Sequence, residues 1–206
     1  MRVPLLNQYR LHTNLGSITA FWNDQFLTRI DVQPISASSG RAGLAVRLIG
    51  KSRMKGRQAE TPIPGFVQRL MTELKDYVET GNVLTGIPWE RIEQSAWTPF
   101  QASVYRAIAQ IPHGETRTYA WVAGKIGKLG AFRAVGQALR SNPFPILIPC
   151  HRVVSSNSLG GFMGCVDPAL PELQLKRALI AIEDRYRQPM FPFEACAIGV
   201  SAVGGF

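Results

Sequence analysis

Cysteine is scarce in this chain. Three residues of 206, Cys150, Cys165 and Cys196, are an odd number with no C-x-x-C spacing. That excludes a disulfide framework and a zinc ribbon, and fits a reducing cytosol in which thiols stay free. Acid is short as well: 14 Asp and Glu stand against 23 Lys and Arg, giving a net charge of +9. Such a balance points to a polyanionic partner. No apolar run approaches the roughly 18 residues needed to span a membrane, and residues 1–9 lack the apolar core and small-residue cleavage site of a secretory signal. The expectation is a cytoplasmic protein, nucleoid-associated if bacterial, that does not bind membranes. Disorder is not the default, because 46% hydrophobic and 18% charged residues are ordinary for a folded protein. The length suits one domain or two small ones, enough to bury a core without staples.

The positive charge is unevenly placed. Between residues 95 and 165 seven basic residues (Arg106, Arg117, Lys125, Lys128, Arg133, Arg140, Arg152) face one acid, Glu115. A second block, Arg41 to Arg57, has six basic residues and no acid; its glycines suggest a solvated loop, and the alternative is a second nucleic-acid contact.

Taken in order, Ser17–Trp22 and Phe26–Val32 alternate loosely around Asn23-Asp24, as in a β-hairpin. Leu44–Ile49 is a further strand candidate. After Pro64, residues Phe66, Val67, Leu70, Met71, Leu74 and Val78 recur at helical spacing, so 65–79 reads as an amphipathic helix ended near Gly81. Residues 82–97 carry no strong period and read as a connection, which divides the chain into an N-terminal domain, 1–92, a second domain, 93–184, and a tail, 185–206. The second domain is largely helical. Thr98-Pro99 supplies a cap and a first-turn proline for a helix from 99 to about 110. Short helices follow at 119–126 and 132–139, and a last one at about 172–183. The pair joined by the glycine-bearing turn 127–130 outlines a helix-turn-helix, whose second helix can dock on duplex DNA. An αα-hairpin in an ordinary core has the same outline.

Just past that pair, the apolar run Phe144–Pro149 leads into Cys150-His151. A thiol beside an imidazole is a candidate nucleophile, since a neighbouring base can draw off the thiol proton. Taken alone it is also what an inert core cysteine looks like. About ten residues separate the candidate DNA-contacting helix from the thiol, which would place the thiol beside bound nucleic acid.

Five runs, Thr98–Val104, Ile111–Tyr119, Arg133–Ala138, Ser141–Pro143 and Ile148–Val153, resemble in order and spacing those of the O6-alkylguanine-DNA alkyltransferases, or methylated-DNA–protein-cysteine methyltransferases. The match covers about 95–184, with a weaker likeness at Leu15–Ala20 and 65–79. Tyr105 stands where the family usually carries Trp, and the segment from Cys165 to Leu175 is longer than the family pattern. The resemblance implies an α/β (α+β) fold: a small N-terminal RNase H-like domain, then a mostly helical domain with a helix-turn-helix. It implies DNA repair by irreversible transfer of the alkyl group from O6-alkylguanine, and O4-alkylthymine, in double-stranded DNA to Cys150, once per molecule and after base flipping. His151 corresponds to the general base acting through a water, and Glu183 to the acid that orients it. Arg133 would replace the extruded nucleotide, Tyr119 would assist its rotation, and Asn142 would hold the hinge between recognition helix and active-site strand. Val153 and Met163 would border the base pocket. No cofactor and no metal are implied, since the zinc ligands of some members are missing, and a monomer is expected. Cys165, Cys196 and the turn residue His113 receive no role. A non-catalytic binder of alkylated bases, a helix-turn-helix regulator and a cysteine hydrolase remain as alternatives at this stage.

Overall fold

A computed structural model describes residues 6–35, 57–58 and 62–185. The candidate strand 44–49, most of the basic block 41–57, Cys196 and the tail beyond Arg185 lie outside the described residues. Strands β1 (Asn7–Thr13), β2 (Gly16–Trp22) and β3 (Leu27–Pro34) form an antiparallel meander, and β4 (Arg57–Gln58) joins β1 in parallel, giving the order β3-β2-β1-β4. The Asn23-Asp24 turn joins β2 to β3, with the Asn23 side-chain oxygen accepting from the backbone N–H of Gln25 and Phe26 at 2.9 and 2.7 Å. Strand β1 is an addition to the sequence reading. Its turn needs Gly16, at φ 138°, because a side chain there would strike the Gln33 carbonyl.

Helix α1 (Gly65–Thr80) lays Val67, Leu70, Met71, Leu74, Tyr77 and Val78 into the core. Gly81 ends it in the left-handed conformation, φ 87°, donating to the Tyr77 carbonyl at 2.8 Å. The connection beyond is more ordered than its sequence suggests. It makes a 3-10 turn at Trp89–Arg91, then Ile92 bridges to Leu27 while Glu93 N–H donates to the Leu27 carbonyl at 2.8 Å.

The second half contains α2 (Pro99–Ile108), β5 (Arg117–Thr118), α3 (Tyr119–Lys125), α4 (Phe132–Arg140), β6 (Val153–Val154) and α5 (Pro171–Arg185). Thr98 and Gln101 close a reciprocal capping box on α2, and the Thr118 hydroxyl caps α3 by accepting from Trp121 N–H at 3.1 Å. Tyr105, buried in α2, donates to the Ala138 carbonyl of α4 at 2.9 Å and stacks edge-on against Trp97. An aromatic with a hydroxyl thus pins one helix of the pair to its neighbour. The fold is mixed α/β, and one continuous cluster of buried residues runs from Ile18 on the sheet to Leu179 on α5. The halves also share a backbone bond, from Ile30 N–H on β3 to the Pro143 carbonyl, 2.9 Å.

One expectation is corrected here. Cys150 does not sit on a strand: Cys150–Arg152 is a 3-10 turn that only then enters β6, paired in parallel with β5. Pro143, Pro145 and Pro149 have no N–H to offer a ladder, so this stretch cannot be a regular strand. Among the described residues no helix is long and apolar enough to cross a membrane.

Candidate active site

The path into Cys150 is buried and strained. Residues Phe144, Ile146, Leu147 and Ile148 are all buried, and Ile146 is held at φ 71°, an unfavourable conformation for a β-branched residue that costs on the order of 1–3 kcal/mol. Asn142 secures the loop. Its side-chain oxygen accepts from Phe144 N–H at 3.0 Å, while its amide donates to the Ile148 carbonyl at 2.9 Å and to the Cys150 sulfur at 3.2 Å. The thiol is 5% exposed. Burial raises its pKa, against the opposing pull of the Asn142 amide and the Lys176 ammonium. At rest it is therefore a thiol, and a base must take its proton before it can attack.

An imidazole is adjacent in the chain. His151 is fully buried, and its Nε2 lies 2.9 Å from Glu183 Oε1 and 3.1 Å from the Tyr77 hydroxyl. Nδ1 meets no hydrogen-bond partner among the described residues. Burial lowers the His151 pKa, and Glu183 only partly offsets this, so the imidazole is neutral at rest. Glu183, on α5, is the hub of the cluster. Besides His151 it accepts from Arg152 Nε at 3.0–3.1 Å and from another Arg152 nitrogen at 2.8 Å, from Tyr77 at 2.6 Å and from Gly114 N–H at 3.1 Å. Burial pushes the carboxyl up, but the His151 hydrogen bond and the hydrogen bonds and charge of Arg152 outweigh it and hold the group below the usual carboxylate range. Arg152 remains as a permanent counter-ion for the carboxylate beside a neutral imidazole, because guanidinium does not deprotonate in proteins.

A second buried cation, Lys176, stands about two turns earlier on α5. Its ammonium donates to the carbonyls of Val153, Leu159 and Gly161 at 2.6, 2.7 and 3.0 Å, tying β6 to the loop behind it. Burial depresses its pKa to about 8, with Cys150 acting in the opposite sense.

Tyr119 begins α3 and reaches back over this loop. Its ring packs against Gly136 of α4 and against Gly160, φ 68°, where a Cβ would come within 2.9 Å of the ring. Only glycine permits that seat, and the hydroxyl is 3.4 Å from the Gly161 carbonyl. Around Tyr119 opens a cleft of about 600 Å³, lined among others by Phe132, Arg133, Ser155, Leu159 and Val166. Phe132 and Arg133 are exposed at the start of α4.

The two predicted pocket residues lie away from this cleft. Val153 is completely buried, its carbonyl engaged by Lys176, and Met163 is half-buried against the core at φ 49°; neither lines the cleft. Part of the wall comes from Val166 and Pro168, in the long segment after Cys165. The structure bonds Asn142 to the Cys150 sulfur and His151 to Glu183, two pairs adjacent in the chain, and sets Tyr119 and Arg133 on the neighbouring cleft. It adds Tyr77, which simply continues the apolar stripe of α1, and Lys176, whose burial no spacing reveals, and it turns Arg152, read among the basic residues, inward onto Glu183. His113 sits in a turn as its sequence suggests, and in addition its Nδ1 lies 3.8 Å from Glu183 and burial lowers its pKa. Among the described residues no group of three or more His, Cys, Asp or Glu side chains is placed to hold a metal ion.

Residues 99–185 match the family model described as the 6-O-methylguanine DNA methyltransferase, DNA binding domain. The methylated-DNA–protein-cysteine methyltransferase of Mycobacterium tuberculosis is 37% identical over 145 residues, 69% of this chain and 86% of that relative. The constitutive methylated-DNA–protein-cysteine methyltransferase of Bacillus subtilis is 45% identical over 87 residues, an alignment that spans 42% of this chain and about half, 49%, of that relative's length. Among solved structures, Mycobacterium tuberculosis OGT in complex with DNA superposes with a TM-score of 0.64 at 29% identity, covering 87% of this chain and 93% of that one. Matching the domain that carries the cysteine turn and the helix pair, and aligned along most of a full-length relative, the chain belongs to the methylated-DNA–protein-cysteine methyltransferase family.

Proposed function

We propose that the chain repairs alkylated duplex DNA by taking the alkyl group of O6-alkylguanine, and of O4-alkylthymine, onto Cys150 in a single, irreversible event. The observation that carries this reading is the turn holding Cys150 and His151 together, with Glu183 closing on the imidazole at 2.9 Å, beside a cleft bordered by Tyr119 and Arg133. The alkylated oxygen lies within the base stack, so the nucleotide must leave the duplex before reaction, at a cost of a few kcal/mol. Arg133, exposed at the head of α4, fills the gap it leaves; Tyr119 turns the nucleotide into the cleft and contacts the base. Met163 and Val153 support the wall from behind, and Asn142 keeps the loop and the sulfur in register.

Chemistry follows as a displacement. The Cys150 proton passes through a water to His151 Nδ1, the sulfur attacks the alkyl carbon, the carbon–O6 bond breaks, and the departing guanine anion takes up a proton. Glu183 holds the ring and stabilises the imidazolium as it forms. A thioether has no leaving group to regenerate the thiol, so each molecule acts once. Region 1–92 is an N-terminal α/β domain and 93–184 the DNA-binding and alkyl-acceptor domain, and the protein works as a monomer in a reducing cytosol that leaves the thiol free. Incubation with duplex DNA containing O6-methylguanine is expected to add one methyl mass to the peptide holding Cys150. Tight lesion binding by folded protein, with the methyl group left on the DNA, would instead identify a non-catalytic binder.

A further inference from the structure

The Glu183 cluster contains one group from outside the second half of the chain. Tyr77, on the buried face of α1, is 1% exposed and sits 2.6 Å from Glu183 Oε1 and 3.1 Å from His151 Nε2. Its ring also meets His113 edge-on, centroids 6.0 Å apart. A residue serving only to fill the core has no need of a hydroxyl aimed at a buried carboxylate. The proton inventory of this triangle is restrictive. Ionised Glu183 can only accept, and the phenol has one proton. The short contact assigns that proton to Glu183, which leaves a phenol lone pair facing His151 Nε2. Both neighbours of Nε2 then present acceptors, so Nε2 must carry the ring proton and Nδ1 must be the bare nitrogen.

We propose that Tyr77 is a positioning residue for the alkyl transfer, a hydroxyl supplied by the N-terminal half that orients Glu183 and fixes His151 as the Nε2–H tautomer, so that Nδ1 is free to accept the Cys150 proton. This rests on the transfer reaction proposed above, but the tautomer it assigns does not depend on that reaction. Tyr77 stays protonated as a donor, because burial and the Glu183 charge raise its pKa well above normal. The other charged or titratable groups facing the triangle are Arg152 from the cysteine turn, His113 from the loop before β5 and Lys176 from α5. None of these can replace the phenol. Arg152 and Lys176 carry no lone pair to accept from Nε2–H, and His113 approaches Glu183 rather than His151.

Two readouts on Tyr77→Phe, beside the unaltered protein, separate the possibilities. Side-chain 15N spectra of histidine-labelled protein read the His151 tautomer and its titration whether or not any methyl is transferred. Single-turnover methylation of the Cys150 peptide, followed against pH, reads the chemistry. The unaltered protein is expected to show His151 as the Nε2–H form. The variant is expected to show a mixed tautomer, transfer slowed roughly tenfold or more by loss of a charge-assisted hydrogen bond, and an acid limb moved to higher pH, because a carboxylate relieved of its donor stabilises the imidazolium more strongly. If the variant is merely less stable, with tautomer, rate and acid limb unchanged, Tyr77 is packing only and the proposal is overturned. If the unaltered protein transfers no methyl, the proposed reaction fails, and the spectra alone still decide the tautomer assignment.

Discussion

Two regions of the molecule are built on opposite principles. Around Glu183 every charge is buried and answered: Arg152, His151, Tyr77 and Gly114 converge on one carboxylate that is 2% exposed. At the head of α4, Phe132 is 48% exposed and Arg133 stands in the open beside it. Buried networks of this kind are rigid, because each member left without a partner would cost more than its bond contributes. The chemistry is thus arranged in advance, whereas the surface that would meet DNA keeps its cation and its apolar side chain available for a partner. Stability should depend on the first region and substrate capture on the second.

Substitutions can break this contrast, and the largest effect is expected at the thiol. Cys150→Ala should abolish methyl transfer while leaving binding to lesion DNA in a mobility-shift assay. Glu183→Gln should damage both fold and chemistry. It leaves Arg152 buried without its counter-ion, costing about 3 kcal/mol in denaturant unfolding, and it weakens the base, slowing transfer by about 10²–10⁴-fold. Arg133→Ala should do the converse, changing unfolding free energy by no more than about 0.5 kcal/mol yet slowing transfer on duplex substrate roughly tenfold. That loss should shrink on single-stranded substrate, where no stack needs refilling. Equal loss on both substrates would remove Arg133 from the flipping step.

The smallest effect is in the acid stability of the buried region. Glu183 has a folded pKa depressed below its unfolded value, so its contribution is complete above the unfolded pKa and is lost as pH falls towards the folded one. By pH 4 the loss is roughly 0.7 kcal/mol, and it should be absent in Glu183→Gln. Parallel stability–pH curves for the two proteins between pH 6 and 4 would deny Glu183 that role.

The opened and the closed region also differed in how far the sequence revealed them. The helix pair was legible because caps and breakers are local: Thr98, Thr118 and Pro143 act within a few residues of where they stand. Cys150, His151 and Arg133 could be singled out from runs of neighbours. What closes around them was not legible, because burial and pairing are set by packing between distant segments. Tyr77 reads as one more core residue of α1, and only the fold carries it 106 residues along the chain to Glu183. Lys176 looks like a solvated helix lysine until β6 and the following loop offer it three carbonyls. The apparently featureless connection around Ile92 bonds to β3 for the same reason.

The central claim is that Cys150 is consumed by its own reaction. Its most direct test is the amount of methyl bound per protein molecule as O6-methylguanine duplex is raised from substoichiometric to large excess. The account predicts a plateau at one methyl per molecule, all of it on the Cys150 peptide and none in Cys150→Ala. A yield that keeps climbing with substrate, or folded protein that removes no methyl group at all, would contradict it.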